Sequence, residues 1–232
     1  MTLPVLRKEL VVLWSSPLPY VAGAAFHAVF GVLVVNQLDV RAQAVVQPMI
    51  PIAGFLLLFA VPVLTMRSFA EEDRTGTLEM LFAAGVAPRP LVVGKWLAAW
   101  LSTLVMLAPS AVVVVLVALW GSPDLGPALS GGVGLVLLAA TLTGAGVLAS
   151  SLTASQAVAA LVAIFGVLVS WFAYSGSAGL RAGSALAAVS LSERLQTFAD
   201  GGIDTGDVGF FVCAAVLCLA AACIALDARR LR

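Results

Sequence analysis

Read from its N-terminus, the chain alternates long apolar runs with short polar or glycine- and proline-rich connections. A helix needs about 20 mostly apolar residues to cross the hydrocarbon core of a bilayer. Six runs approach or exceed that length, at about 18–35, 50–66, 91–120, 129–150, 156–174 and 208–226. The pattern predicts an all-α, polytopic single membrane domain over residues 1–232, with both termini on one side. Pro109 lies inside the third run, where a missing amide donor predicts a kink. Small residues recur in the fourth run (Ala140, Gly144, Gly146, Ser150) and in the sixth (Ala214, Cys218, Ala222), which predicts seams of close helix packing.

Ahead of the first run, Leu6, Leu10, Leu13 and Trp14 share one side of a short amphipathic helix, with Arg7 and Lys8 toward headgroups. Ser15, Ser16, Pro17 and Pro19 interrupt the apolar stretch and argue against a cleaved secretory leader. This helix is expected to lie on the membrane and not to cross it.

Composition sharpens the picture: 62% of the 232 residues are hydrophobic and 10% charged, far below the quarter charged of soluble domains. Twelve basic residues balance twelve acidic ones, so no cationic surplus supports nucleic-acid binding. Nine of the twelve basic residues (Arg7, Lys8, Arg67, Arg74, Arg89, Lys95, Arg229, Arg230, Arg232) fall on the side of the termini, and Arg41, Arg181 and Arg194 on the other. By the positive-inside rule the termini are cytoplasmic and the protein sits in the cell (plasma or inner) membrane. Trp14, Trp96 and Trp100 are expected at inner span ends, and Trp120 and Trp171 at outer ends.

The span interiors read as free of charge, with His27 the one titratable base, expected to hydrogen-bond a neighbouring helix. Ion-coupled carriers place ionisable groups near the bilayer midplane, so an energy-independent carrier is disfavoured. No catalytic constellation or metal-ligand cluster is visible, and Cys213, Cys218 and Cys223 read as packing residues. Gly94-Lys95 ends like a phosphate-binding loop, but Trp96 replaces the magnesium-holding hydroxyl and Arg89 the first glycine. Leu129-Ser130-Gly131-Gly132 has the look of an ATPase signature loop, yet it opens a membrane span. The chain is therefore not expected to be an enzyme or to bind ATP.

Between the second and third spans, Leu78, Leu81 and Phe82 define one apolar face of a short helix. Thr75 or Gly76 can start it, Gly85 can end it, and Pro88 and Pro90 prevent its continuation. Glu71-Glu72-Asp73 lie just upstream, at the positive end of its dipole. An apolar face on a polar connector is costly unless something covers it, which suggests a docking element. Between the fifth and sixth spans, Leu191, Leu195 and Phe198 make a second amphipathic face, ended by Gly201-Gly202, with Asp204 and Asp207 capping the last span.

These blocks resemble the membrane permease subunits of ABC-2-type transporters, in particular those of gliding-motility and nitrous-oxide-reductase-maturation operons. The resemblance rests on Arg7-Lys8-Glu9-Leu10 with Ser16-Pro17 and Tyr20, and on Glu71-Glu72 through Arg74-Thr75-Gly76-Thr77-Leu78-Glu79-Met80-Leu81. It continues in Gly94-Lys95, Ser192-Glu193-Arg194-Leu195, Gly202-Ile203-Asp204, Asp207 and Arg229-Arg230. It implies that residues 71–84 form a cytoplasmic coupling helix whose Glu71, Glu72, Arg74, Gly76, Thr77, Leu78, Glu79, Leu81 and Phe82 dock a separate ATPase subunit. ATP and magnesium then belong to that partner, with two ATPases and two permease chains, identical or paralogous, per transporter. It further implies short interfacial or re-entrant helices between spans five and six, with Glu193, Arg194, Phe198, Asp204 and Asp207 as outer-gate candidates. The implied function is an exporter; the competing one is a non-transporting component that passes ATPase work to a motility or envelope assembly. The family often has proline where Gly85 stands here.

Overall fold

A computed structural model describes residues 2–41, 46–120, 125–173 and 189–230. The described elements are α1 (Thr2–Ser15), α2 (Leu18–Arg41), α3 (Met49–Thr65), α4 (Ala70–Arg74), α5 (Thr77–Ala83) and α6 (Pro88–Leu107). They continue with α7 (Ser110–Trp120), α8 (Leu125–Leu152), α9 (Gln156–Trp171), α10 (Leu191–Ala199) and α11 (Thr205–Arg230). No strand occurs among the described residues. Among the described residues, five segments are long and apolar enough to cross a membrane: Leu18–Gln37, Met49–Arg74, Pro88–Leu116, Gly126–Leu152 and Thr205–Arg229. The fifth expected run forms the 16-residue helix α9, about 24 Å at 1.5 Å per residue, shorter than a typical span. Residues 174–188, with Arg181, and Arg232 lie outside the described residues.

The helix α8 is the axis of the bundle. Its side chains Ser130 and Ser150 are separated by about 30 Å along the helix, close to the thickness of a hydrocarbon core. At the Ser130 end it seats α10, and at the Ser150 end it meets α4. The contacts of Gly131 with Ile50 and of Gly146 with Thr65 show α3 running in the same direction as α8. Helix α11 does too: Thr141 Oγ1 donates to the Phe211 carbonyl at 3.0 Å, and Gly144 lies against Ala215 and Cys218. Its buried stripe is Phe211, Ala215, Ala222 and Leu226, so Ala215 takes the place expected of Ala214.

Pro109 ends α6 and separates it from α7; Ala111 and Val112 bond back three residues, to Ala108 and Pro109, across the break. The His27 ring uses Nδ1 on its own helix, at 2.9 Å from the Gly23 carbonyl, and Nε2 stands 3.5 Å from Ser110 Oγ of α7.

Two sequence expectations are corrected here. The apolar stripe of α1 does not face lipid: Leu6, Leu10, Leu13 and Trp14 are half-buried, while Leu3, Arg7, Lys8, Val11 and Val12 are exposed. Val5 lies against Gly94, where an added Cβ would come within 2.7 Å, and Trp14 Nε1 donates to Ser102 Oγ at 3.1 Å, so α1 lies along α6. Trp96 and Trp100, expected at a span end, stack at 5.6 Å and donate to the Ala140 and Val136 carbonyls in the middle of α8. They bind helix to helix instead of marking a headgroup boundary.

Candidate functional site

The connection between α3 and α6 folds as two short helices at a tight angle. Gly76 adopts φ 72° between them, a conformation that costs glycine nothing and other residues a strain. The Thr77 hydroxyl donates to the Glu72 carbonyl, and the Thr75 hydroxyl to the Glu71 carbonyl, closing the last turn of α4. Helix α5 ends on Gly85 at φ 79°, with Gly85 N–H donating to Phe82 and Val86 N–H to Leu81. Proline, fixed near φ −65°, cannot occupy that position in this geometry.

The acidic triplet Glu71-Glu72-Asp73, upstream of α5 as expected, lies in the first turn of a separate helix, α4, and so suits the dipole of α4. One hydroxyl organises the start of that helix. Ser150 Oγ accepts from Phe69 N–H at 2.9 Å and Ala70 N–H at 3.0 Å, and donates to the Met66 carbonyl at 3.0 Å.

The largest correction concerns charge. Lys95 lies inside the Pro88–Leu116 apolar segment and is 3% exposed. Its Nζ is 2.9 Å from Glu9 Oε1 of α1 and 3.0 Å from Glu72 Oε1 of α4. Lys8 closes the ring, at 3.0 Å from Glu72 and 3.2 Å from Glu9. Each lysine thus contacts both carboxylates, and the four charges sum to zero, which is how a low-dielectric site tolerates them. The Phe69 ring lies 5.1 Å from Lys95 Nζ and adds a cation–π contact. Glu72 Oε2 is buried with no hydrogen-bond partner. Burial pulls the Lys8 ammonium toward neutrality, but its hydrogen bond to Glu72 and the charge of Glu9 outweigh that and hold its pKa above the usual lysine value. Lys8 therefore stays cationic across the physiological range. Arg229 of α11 pairs with Asp73. Helix α4 is consequently tied to α1, α6, α8 and α11 at once, and both the N-terminal and the C-terminal helix reach it.

The apolar face of α5 is covered by this chain itself. Leu78 is 3% exposed and packs with Phe69, Leu91, Val92, Val147, Ala222 and Leu226, with Leu81 and Phe82 at the margin. The opposite face carries Arg74, Thr75, Thr77 and Glu79, all exposed, and Met80 at 71% exposure. Between α1 and this hairpin runs a cleft of about 640 Å³ bordered by Val12, Leu64, Arg67, Glu71, Thr75 and Met80.

At the other end, Leu191, Leu195, Phe198 and Ala199 of α10 are buried among α3, α8, α9 and α11. Ser130 Oγ donates to the Phe198 carbonyl at 2.7 Å, and Gly201 (φ 95°) ends the helix. Arg194 pairs with the buried Asp207 at 2.5 Å and lies over the Phe210 ring, 4.1 Å from its centroid. Asp204 Oδ1 accepts from Gly206 N–H at 2.9 Å and caps α11. Glu193 is exposed, in the first turn of α10. The structure brings Arg194, Phe198, Asp204 and Asp207 together at one end, and Glu71, Glu72, Arg74, Gly76, Thr77, Leu78, Glu79, Leu81 and Phe82 at the other.

Sequence reasoning passed over Lys8, Glu9, Lys95 and Ser150 as site residues. The available signal was Lys95 itself, a lone cation inside an apolar segment, which demands a counter-ion.

A bundle of apolar helices with a charged hairpin locked beneath it describes a multi-pass membrane transport component. The chain belongs to the ABC-2 family of transporter proteins: residues 36–192, more than half of its length, match that family, described as ABC-2 family transporter protein. It is thereby a membrane permease component of an ABC transporter, and membership implies association with an ABC ATPase subunit. A search of curated proteins finds no match. The matched range holds Glu72, Lys95 and Ser150, whereas α1 and α11, which supply Glu9 and Arg229, lie beyond it.

Proposed function

We propose that this chain is the permease of an ATP-driven exporter, oriented with α1, α4, α5 and Arg229 on the cytoplasmic side. A separate ATPase docks on the outward face of α5, formed by Arg74, Thr75, Thr77, Glu79 and Met80. The observation that carries the reading is a rigid hairpin with one face locked to four helices and the other bare. Leu78, Leu81 and Phe82 serve docking indirectly, by fixing the helix that presents the bare face. When the ATPase dimer closes on ATP it pushes α5. The push passes through Glu72 to α1 and α6, through the Ser150 cap to α8, and through Asp73 to α11, so the spans tilt together toward an outward-open state. Two permease chains and two ATPases complete the assembly, and α10 with the Arg194–Asp207 pair closes the outer end. The narrower likeness to gliding-motility and nitrous-oxide-reductase-maturation permeases rests on the Glu71–Leu81 block.

The test is Glu79→Lys in the permease–ATPase complex. Charge reversal on the bare face should reduce ATPase copurification at least tenfold, while membrane insertion and thermal stability stay unchanged because Glu79 is exposed on α5. Normal copurification with normal ATP turnover overturns the docking face. A complex that turns over ATP without moving any lipid or solute in vesicles would assign the chain to mechanical work on an envelope assembly instead.

A further inference from the structure

The break at Pro109 borders a second cavity, of about 290 Å³, enclosed by α2, α3, α6, α7 and α8. Phe30, Ile50, Leu107, Val114 and Leu135 form its walls, and Ser110 supplies the one side-chain hydroxyl among its lining residues. That hydroxyl already faces His27 Nε2 at 3.5 Å, so the walls hold no side-chain group left over for a polar ligand atom. A polar molecule would lose its water without replacement, at a cost of kilocalories per group, whereas an alkyl chain loses nothing. The size agrees: an engineered apolar cavity of about 150 Å³ holds benzene, so this one has room for roughly a dozen carbons.

Position settles the source. The lining helices belong to segments long and apolar enough to cross a membrane, and the lining residue Val136 is 36% exposed on one of them. The medium around these helices is therefore hydrocarbon, and the ligand at hand is an alkyl chain. We infer that this cavity is a binding site for one acyl chain of a bilayer phospholipid, held within a single permease chain beside the α6–α7 break. The site stands on the cavity alone and does not depend on which ATPase docks, or whether one does.

Gly132 makes the site testable without damaging the fold. It lines the cavity, and a Cβ built on it meets nothing within 4 Å, so larger side chains there enter open space. The wild-type complex and its Gly132→Ala, Gly132→Leu and Gly132→Phe variants would be reconstituted with phosphatidylethanolamine and phosphatidylglycerol. After extraction in mild detergent, native mass spectrometry would count the phospholipid retained per permease chain. Expected is one retained lipid in the wild type, little change for Ala, and a graded loss reaching at least fivefold for Phe, with melting temperature unchanged or raised. Addition of dodecanol should displace the retained lipid, since the chain and not the headgroup is what the walls hold. Equal retention across the series, or none in the wild type, overturns the site. If the Phe variant is destabilised, the Leu variant decides by the same criterion. ATPase copurification, measured in the same samples, reports separately on the docking reading.

Discussion

At the Ser150 end of α8 the neighbouring elements are joined by four charges in a ring, an arginine–aspartate pair and one shared hydroxyl. At the Ser130 end one hydroxyl bond and the Arg194–Asp207 pair are also present, but α10 is seated mainly by close packing, with Phe198 pressed on Gly134 and Leu195 on Gly54. Contacts of the first kind are directional, and they weaken steeply once their short distances and angles are lost. Contacts of the second kind lose their dispersion energy within about 1 Å of separation. The Ser150 end is therefore held mainly by directional polar contacts, and the Ser130 end mainly by close fit.

The comparison breaks most visibly at Lys95. Lys95→Met leaves Glu9 and Glu72 sharing a buried site with only Lys8, and removal of one partner of a buried ion pair costs about 3–5 kcal/mol. A marked fall in melting temperature is expected, with ATP turnover no longer answering to the permease, and partial recovery in Lys95→Arg. A Met variant as stable and as coupled as the wild type would show that the ring is ornamental.

A smaller effect is expected where shape rules. A Cβ at Gly134 would lie 2.8 Å from Phe198 Cβ and 2.9 Å from Cγ, atoms near the backbone that cannot swing aside. Gly134→Val should cost about 1–3 kcal/mol of overpacking. Cysteine accessibility at Leu191→Cys, buried in the native bundle, should rise as α10 is lifted, while ATPase copurification stays normal because the far end is untouched. Unchanged labelling would mean that α10 is not held by this contact.

The most local break is at the cap. Ser150→Ala removes the acceptor for two amides and the donor to Met66, and each of these groups that water fails to reach costs about 1–3 kcal/mol. Hydrogen exchange at Phe69 and Ala70 should accelerate at least tenfold, whereas protection across α10 should not change. Acceleration spread evenly over the bundle would contradict a local cap.

Much of this was legible in the sequence, for identifiable reasons. Membrane segments declare themselves because hydrophobic length is a local property, and the α4–α5 hairpin because Gly76 and Gly85 punctuate it. The amphipathic face of α10 was equally readable from Leu191, Leu195 and Phe198. What stayed hidden depends on partners far apart in the chain. Lys95 meets Glu9 across 86 positions, and Ser150 meets Ala70 across 80. Periodicity also could not say what covers an apolar face: for α1 it is α6 and not lipid, and for α5 it is this chain's own core and not another protein. Within α9, the apolar run continues to 174 in sequence, but the regular helix stops at Trp171, where Phe172 leaves helical geometry.

The ring of charges also fixes a sequence of events in time. A lysine inside an apolar membrane segment is costly even near one end, and Lys95 is the eighth residue of α6. Glu9 and Glu72 both precede Lys95, so the ribosome delivers the two carboxylates before the cation that needs them. When α6 enters the bilayer its counter-ions are already waiting at the surface, and the lysine need never stand alone in lipid. Had the order been reversed, two carboxylates would have had to find a stranded cation after the fact. The direction of translation thus does part of the work of assembly.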